Sequence, residues 1–331
     1  MNADRPRLPT PADVDAAAQR IAGVAIRTPL ISSLALDERL GGRIFLKAET
    51  LQRIGAFKFR GAYNKLASIP ADRRAAGVVA FSSGNHAQGV AAAAKFFGVP
   101  ATIVMPADAP RAKRERTAAL GAEVVTYDRD TQDRAAIARD IAHKRGATLV
   151  PPYDDPEIIA GQGTAGLEIV EDLAAINLKP DIVMAGASGG GLIAGMALAV
   201  QARVPQAQMI TCEPEGFDDF ARSLRRGKHE ANDRTSGSIC DALMAQTPGD
   251  LTFEILTKAG ARGVAASDAD AARAVAFAFH ELKLVVEPGG AIALAALLAG
   301  KIDAKGKVVA AVLSGGNVDP DLFSKLIAVP Y

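Results

Sequence analysis

The chain has 331 residues, of which 49% are hydrophobic and 23% are charged, a composition typical of a globular protein. Its formal net charge of +1 gives no reason to expect a nucleic-acid partner or a charged membrane surface. Two cysteines are too few for a disulfide framework, and no apolar run is long enough to span a bilayer, so we expect a cytoplasmic protein. The length predicts about two domains.

The N-terminal part of the chain predicts a helix, a strand and a second helix. Thr10 followed by Pro11 is typical of a helix start, because threonine caps the first turn and proline fits its first position. This helix extends to about residue 21, and a short strand follows over residues 43–47. Lys58 then opens, or lies early in, a helix that ends near residue 66.

Lys58 lies between two phenylalanines and is a candidate nucleophile. Lysine is rarely buried without a partner, and burial lowers its pKa because the charged form is disfavoured away from water. A neutral amine can form a Schiff base with a carbonyl compound. The local sequence alone leaves open a surface lysine between two core phenylalanines.

Strands and helices alternate through the middle of the chain. Apolar, β-branched strands that alternate with helices predict a parallel sheet covered by helices. The predicted strands cover residues 77–81, 101–105, 122–127 and 148–150, and the helices cover 87–97, 111–120 and 131–145. We interpret this block as a small α/β unit.

The second half repeats the alternation. Strands are predicted over residues 181–185, 208–212 and 307–313, and helices over 159–173, 192–201, 217–226, 267–283, 290–298 and 320–327, with a long loop or lid over 227–251. The early strand and Lys58 need a sheet to join, and this half can supply it. We therefore predict a discontinuous large domain, residues 1–74 and 153–331, with a small domain, residues 75–152, inserted and a cleft between them.

A polar loop follows the strand over residues 77–81. It consists of Ser82, Ser83, Gly84, Asn85 and His86 and leads directly into a helix. The free N–H groups of a helix N-terminus favour an anion, and serine and asparagine add hydrogen bonds. An ordinary N-cap needs one such side chain, so the loop predicts a site for a carboxylate or phosphate, although capping remains the alternative.

A glycine-rich loop follows the strand over residues 181–185. It consists of Ser188, Gly189, Gly190 and Gly191, and Leu192 opens the next helix. Consecutive glycines let the backbone approach a phosphate closely, whereas a tight turn alone needs fewer. Glu213 lies about where a dinucleotide-binding fold places its ribose-binding acid, so a nicotinamide-dependent oxidoreductase is an alternative.

Two further stretches carry weaker signals. Ser314 follows the strand over residues 307–313, where its hydroxyl could touch a ligand ring, but such a stretch is more often only a turn. Glu213 and Asp219 belong to an acidic stretch that could bind Mg²⁺ or Ca²⁺, or could simply begin a solvated helix.

Taken together and in this order, the lysine, the serine–asparagine loop, the glycine loop and the late serine resemble the fold-type-II pyridoxal-phosphate enzymes. The greatest similarity is to the serine/threonine dehydratase and serine racemase group, over residues 28–319 or so. The resemblance implies an α/β fold like that of the tryptophan synthase β chain, in which each of two domains is a largely parallel sheet flanked by helices. It also implies pyridoxal 5′-phosphate as cofactor and a homodimer.

The resemblance assigns roles to individual residues. Lys58 matches the Schiff-base lysine that also moves the α-proton, and Phe57 the residue packed against the cofactor ring. Asn85 matches the partner of the ring hydroxyl, and Ser314 that of the pyridine nitrogen. The phosphate loop corresponds to Ser188, Gly189, Gly190, Gly191 and Leu192, and the substrate-carboxylate loop to Ser82, Ser83, Gly84, Asn85 and His86.

The same resemblance predicts the reaction. A neutral Ser314 would not keep the pyridine nitrogen protonated, which favours β-elimination over transamination and implies an L-threonine or L-serine dehydratase that acts on a small hydroxy-amino acid. Ser83 matches a second acid/base in the serine racemase and L-threo-3-hydroxyaspartate dehydratase branches, so these activities stay open.

The resemblance to the serine racemase branch implies two more features. Glu213, Asp219 and the Phe217 carbonyl match its divalent-metal site, which again suggests Mg²⁺ or Ca²⁺. Arg134 aligns loosely with a cleft arginine that could favour an acidic substituent, although a solvated helix arginine fits equally well.

Overall fold

A computed structural model describes residues 6–109 and 111–331; the predicted large-domain segment therefore begins with five residues outside the described part. Within the described residues, the strands are β1 (Leu30–Ser32), β2 (Arg43–Lys47), β3 (Val78–Phe81), β4 (Ala101–Pro106), β5 (Glu123–Tyr127), β6 (Thr148–Leu149), β7 (Ile182–Gly186), β8 (Gln208–Pro214), β9 (Arg262–Ala266) and β10 (Val308–Val312). The helices are α1 (Pro11–Ile21), α2 (Leu34–Leu40), α3 (Lys58–Ser68), α4 (Ala71–Arg74), α5 (Asn85–Phe97), α6 (Arg111–Ala119), α7 (Arg134–Arg145), α8 (Pro156–Ala175), α9 (Gly191–Gln201), α10 (Asp219–Arg226), α11 (Asp250–Lys258), α12 (Asp268–His280), α13 (Pro288–Leu298) and α14 (Pro320–Leu326).

The larger sheet joins the two ends of the chain. Within the described residues its six strands run in the order β1-β2-β10-β7-β8-β9, all parallel except β1, which is antiparallel to β2. The early strand β2 pairs with β10, with Arg43 opposite Val308. The apolar central strands are buried because helices cover both faces of a parallel sheet.

The smaller sheet comes entirely from the middle of the chain. Its four strands within the described residues are parallel, in the order β5-β4-β3-β6. The expectation of two largely parallel sheets flanked by helices is thus confirmed. The boundaries proposed near residues 74 and 152 stay a prediction.

Close helix packing positions the glycine loop. Helices α8 and α9 approach so closely that a Cβ atom on Gly195 would lie 2.1 Å from the Ile159 carbonyl oxygen, and one on Gly163 would lie 2.5 Å from the Gly195 oxygen. Only glycine fits at such a contact. The contact holds the start of α9, which begins at Gly191, beside the N-terminal half of α8.

Several elements lie where the sequence predicted none. These are β1, α2, α4, α11 and β9. Strand β9 reads Arg-Gly-Val-Ala-Ala, and glycine and alanine are depleted in strands, so its local preference is weak. Pairing with β8 in the folded protein nevertheless makes it a strand. The segment predicted as a loop over 227–251 contains the short 3₁₀ turn Asp241–Leu243 and ends as α11 begins at Asp250.

In the described ranges, no helix combines the length and the apolar character that crossing a bilayer requires.

Candidate active site

The segment before Lys58 is fixed against the end of β10. Ala56 forms a β-bridge with Gly315, and the Phe57 N–H donates to the Ser314 carbonyl oxygen at 3.1 Å. Ile54 has a φ of 60°, which is strained for a β-branched residue. Such strain persists only where surrounding contacts enforce it and is concentrated at functional sites. The consequence is that Lys58 starts α3 directly beside Ser314.

The Lys58 amine lies in an apolar environment. Its Nζ donates to the Pro152 carbonyl oxygen at 2.6 Å and lies 5.0 Å from the centre of the Phe57 ring. Burial away from water lowers the pKa of Lys58 to about 7. A substantial fraction of the amine is therefore neutral near pH 7, as a lysine nucleophile or general base requires.

The serine loop connects β3 to α5 and leaves space beside the helix start. Gly84 is the N-cap of α5, and its N–H donates to the Ser82 hydroxyl at 3.2 Å. A Cβ atom on Gly84 would meet nothing within 4 Å. Ser83 is partly buried in this loop. The open space lies next to the first free N–H groups of α5, which suits an anionic group.

The Asn85 carboxamide is held on both sides. Its Nδ2 donates to Glu287 Oε1 at 2.6 Å, and its Oδ1 accepts from Asn317 Nδ2 at 2.7 Å. Sequence reasoning singled out neither Glu287 nor Asn317. The signal that was present is a glutamate before the Pro-Gly-Gly start of α13 and an asparagine after Ser314-Gly-Gly.

His86 presents a neutral ring. Its Nε2 lies 2.9 Å from the Val150 carbonyl oxygen, and its Nδ1 is buried without a partner. Burial, together with the nearby Lys58 charge, lowers the pKa of His86 to about 3. The imidazole therefore provides no positive charge for a substrate carboxylate, and any contribution of His86 to anion binding comes from its backbone N–H.

Packing explains each glycine of the glycine loop. A Cβ atom on Gly189 would lie 2.2 Å from the Tyr153 ring, and one on Gly190, which has a φ of +88°, would lie 2.4 Å from the Phe220 ring. A Cβ atom on Gly191 would lie 2.6 Å from Gln162 Oε1.

The glycine loop also has polar groups available for a ligand. In the described part of the chain, the N–H groups of residues 189–192 engage no acceptor. Both amide atoms of Gln162, a fully buried residue that the sequence analysis missed, are also without a partner. Ser188 accepts a hydrogen bond from the Ala245 N–H at 3.2 Å, and Leu192 is buried. Free amides and an orphaned buried carboxamide beside this helix start fit a bound phosphate group.

The acidic residues lie around the start of α10. Glu213 is fully buried, and its two oxygens accept from the Phe220 and Ala221 N–H groups, each at 2.8 Å. Because Glu213 is fully buried, the ribose of a dinucleotide could not reach its carboxylate, which contradicts the role that the nicotinamide alternative gave to Glu213. Asp219 accepts from Asn232 through Oδ1, and its buried Oδ2 has no partner.

Two buried carboxylates, Glu213 and Asp219, lie close together here, and keeping both of them charged without a cation is unfavourable. Burial and the Asp219 charge raise the pKa of Glu213, and burial raises the pKa of Asp219 to about 7. In residues 6–109 and 111–331 no three His, Cys, Asp or Glu side chains form a metal-binding group. The buried Phe217 precedes α10 and would add only its carbonyl oxygen.

Arg134 lies near the end of β3, where the serine loop begins. As the first residue of α7 it places its guanidinium carbon 5.7 Å from the centre of the Phe81 ring, at the end of β3. It forms no ion pair with any described residue. The structure thus places an exposed cation without an ion-pair partner beside Phe81, the residue that precedes the serine loop.

The site thus combines a lysine amine with a pKa near 7, the end of β10 and a glycine loop that can hold a phosphate group. An enzyme needs this combination if its cofactor is a phosphorylated carbonyl compound. Comparison with protein families identifies that cofactor. Residues 21–315 match the family described as pyridoxal-phosphate dependent enzyme. The chain belongs to this family, and the resemblance stated from the sequence is confirmed.

Individual relatives narrow the group. The chain is 44% identical to an L-threo-3-hydroxyaspartate ammonia-lyase of Pseudomonas sp, over 95% of this chain and 97% of the relative. It is 43% identical to an L-threonine ammonia-lyase of Thermotoga maritima, over 95% of this chain and 77% of the relative. Among solved structures, maize serine racemase has a TM-score of 0.90 at 34% identity, covering 97% of this chain and 98% of that one. These similarities make the protein an enzyme of the ammonia-lyase and serine racemase group.

Proposed function

We propose that the protein is a pyridoxal-phosphate-dependent ammonia-lyase that converts L-threonine or L-serine into a 2-oxo acid and ammonia. The observation that carries this proposal is the Lys58 amine, whose pKa is lowered to about 7. The segment before Lys58 is bonded to the strand end that carries the neutral hydroxyl residue Ser314, through the Ala56–Gly315 bridge. The names of the relatives support the same reaction class.

The chain's own residues suit each task of the reaction. When bound, pyridoxal phosphate supplies an electron sink that makes the α-proton of an attached amino acid acidic. The free N–H groups of residues 189–192 would hold its phosphate, and the start of α5 would hold the substrate carboxylate. Lys58 would take the α-proton as general base. Ser314 would offer the ring a hydroxyl rather than a carboxylate, which would favour loss of the β-hydroxyl.

The test begins with the purified holoenzyme. We expect a visible absorbance band that borohydride bleaches, with the cofactor fixed to the Lys58 peptide, and 2-oxo acid and ammonia formed from L-threonine or L-serine. Lys58→Ala should lower kcat by at least about 10²–10⁴-fold, the contribution of proton transfer alone. Lys95→Ala, an exposed lysine on α5, is the matched control. Full activity in Lys58→Ala would contradict the proposal.

A second candidate substrate is L-threo-3-hydroxyaspartate. The unpaired Arg134 beside the serine loop favours it, because a guanidinium pairs well with a second carboxylate. In that case Arg134→Gln should raise KM for hydroxyaspartate and leave KM for L-serine unchanged. Equal changes for both substrates would mean that Arg134 has no part in recognising the second carboxylate.

We also propose a divalent cation, Mg²⁺ or Ca²⁺, at Glu213, Asp219 and the Phe217 carbonyl. The unpartnered buried oxygen of Asp219 and the repulsion between the two carboxylates support it, since oxygen ligands and compensation of charge are what such ions provide. The cation would neutralise buried charge and brace α10. Removing it with EDTA should lower the thermal midpoint of unfolding of the wild type but not of Glu213→Gln, and an unchanged wild-type midpoint would count against the site.

A further inference from the structure

The strongest unassigned feature of the site is a chain of three hydrogen-bonded side chains, Asn317, Asn85 and Glu287, which we call the amide triad. Asn317 Nδ2 donates to Asn85 Oδ1 at 2.7 Å, and Asn85 Nδ2 donates to Glu287 Oε1 at 2.6 Å. Asn317 also donates to the Ile54 carbonyl oxygen at 2.8 Å, in the strained segment before Lys58. The three members follow β10, open α5 and precede α13, so separate parts of the fold fix them.

The hydrogen bonds of the amide triad determine how Asn85 can act. A carboxamide has one acceptor oxygen and two N–H donors. The oxygen of Asn85 already accepts from Asn317, and one N–H already donates to Glu287. The orientation of the amide is set, because it cannot flip without losing both bonds. One N–H therefore remains free in a fixed direction, and Asn85 can offer it to a ligand as a donor.

Burying the Glu287 carboxyl group costs free energy. It is 6% exposed, and it pairs with no cation in the described part of the chain. A Cβ atom on Gly315 would lie 2.3 Å from Glu287 Oε1, so the carboxylate also lies against the residue that follows Ser314. Burying a carboxyl without a cation costs free energy, which hydrogen bonds offset only in part. A role in the site would explain why such a residue stands here.

Two charged groups act on Glu287. Asp241 and Lys113 lie near it and form an ion pair with each other at 2.7 Å. Burial, with a further contribution from Asp241, raises the pKa of Glu287 to about 7, while the Asn85 hydrogen bond and Lys113 oppose that rise. Above pH 7 the carboxylate form prevails, and it is a strong acceptor for the Asn85 amide.

We propose that Glu287 is a positioning residue that holds the Asn85 amide so that its remaining N–H points to the ring oxygen of pyridoxal phosphate. The inference rests on the proposed function, since it assumes that cofactor. It assigns to Glu287 an effect on how tightly the cofactor ring is held and on the electronic state of the ring, exerted through Asn85. In this role Glu287 acts through Asn85 rather than on the substrate.

Two variants of Glu287 separate positioning from packing. Glu287→Gln keeps an acceptor oxygen in place, and Glu287→Met keeps the length of the side chain without one. We expect Glu287→Met to weaken pyridoxal phosphate binding to the apoenzyme roughly tenfold, the effect of one hydrogen bond in a buried site, and to shift the visible absorbance band. Glu287→Gln should restore most of the affinity and the wild-type band. Far-UV circular dichroism checks that each variant is folded.

A double-mutant comparison tests whether Glu287 acts through Asn85. Asn85→Ala combined with Glu287→Met should bind the cofactor no more weakly than Asn85→Ala alone. Additive losses would overturn the inference, as would a Glu287→Met protein with wild-type affinity and absorbance, or equal losses in the Gln and Met variants. A wild type that binds no pyridoxal phosphate would instead overturn the proposed function, and the inference with it.

Discussion

At the scale of single residues, burial changes the proton affinity of His86 more than sequence alone suggests. The pKa of His86 is lowered to about 3 in the folded chain, against an ordinary value near 6.5. As the pH falls below about 6.5, the unfolded chain therefore binds a proton that the folded chain does not, and stability declines down to about pH 3. We expect His86→Gln, which keeps a donor for Val150, to lose less stability between pH 6.5 and 4.5 than the wild type. Urea unfolding at both pH values measures this, and parallel losses in the two proteins would contradict it.

We expect Ser83 to be the residue that separates the two reaction outcomes. As an acid/base on the side of the cofactor opposite Lys58, it would be needed for racemisation but not for elimination. We expect Ser83→Ala to form pyruvate from L-serine at close to the wild-type rate and to form D-serine at least roughly tenfold more slowly. Chiral chromatography and a 2-oxo acid assay on the same reaction measure both products. Equal reduction of the two products would assign Ser83 to substrate binding.

The predictability of the site differs between its residues for a physical reason. Lys58, Ser314 and the two anion loops stand at strand ends within recognisable local patterns, so the sequence predicts them. Glu287 and Asn317 act on Asn85 from 202 and 232 residues away, and no local pattern joins such residues. The packing of Gln162 against the glycine loop is hidden for the same reason.

At the scale of elements, the contact between α8 and α9 is the most sensitive to substitution. Gly195→Ala would bring a Cβ atom to 2.1 Å from the Ile159 carbonyl oxygen, and two helix backbones would have to separate. Overpacking of this kind costs about 1–3 kcal/mol or more. Gly84→Ala, where a Cβ atom meets nothing within 4 Å, is the control and should change stability by less than about 1 kcal/mol. Urea unfolding of both variants gives the comparison, and similar stabilities would mean that the helices adjust freely.

Helix and strand prediction succeeded where local signals and tertiary packing agree. The Thr10–Pro11 start of α1 and the alternation from β3 to β6 appear in the structure close to their predicted bounds. Strand β1 has only three residues and was missed, since its pairing with β2 decides its conformation. Helix α11 was missed for a related reason. It begins inside a polar stretch, where the Asp154 carboxylate, 96 residues earlier in the chain, accepts from the Asp250 N–H.

At the scale of the whole molecule, a buried ion network ties the N-terminal strands to the helices beneath the active site. Arg60, two residues after Lys58, donates to both oxygens of Glu49 and of Glu168, at 2.7–2.8 Å. Lys47 of β2 pairs with Glu168 at 2.7 Å, and Thr28 donates to Glu49. Burial would raise the pKa of Glu49, but the Arg60 charge and its hydrogen bonds lower it below the ordinary value. The Arg60–Glu49 pair is therefore charged, and each carboxylate of the network has a cation as its partner.

Removing one member of this network should affect the whole fold. In Arg60→Met, Glu49 stays fully buried without its cation, and such a loss costs about 3–5 kcal/mol of unfolding free energy. Because Glu49 has its pKa lowered in the folded wild type, the stability that the pair contributes is present above pH 4.5 and is lost as the pH falls below it. The deficit of Arg60→Met relative to wild type should therefore shrink in acid. Arg111→Met, which removes an exposed arginine paired with Glu115, is the control and should cost less than about 1 kcal/mol. Urea unfolding at pH 7 and pH 4 measures both variants, and an Arg60→Met protein as stable as the control would show that the network does not hold the strands and helices together.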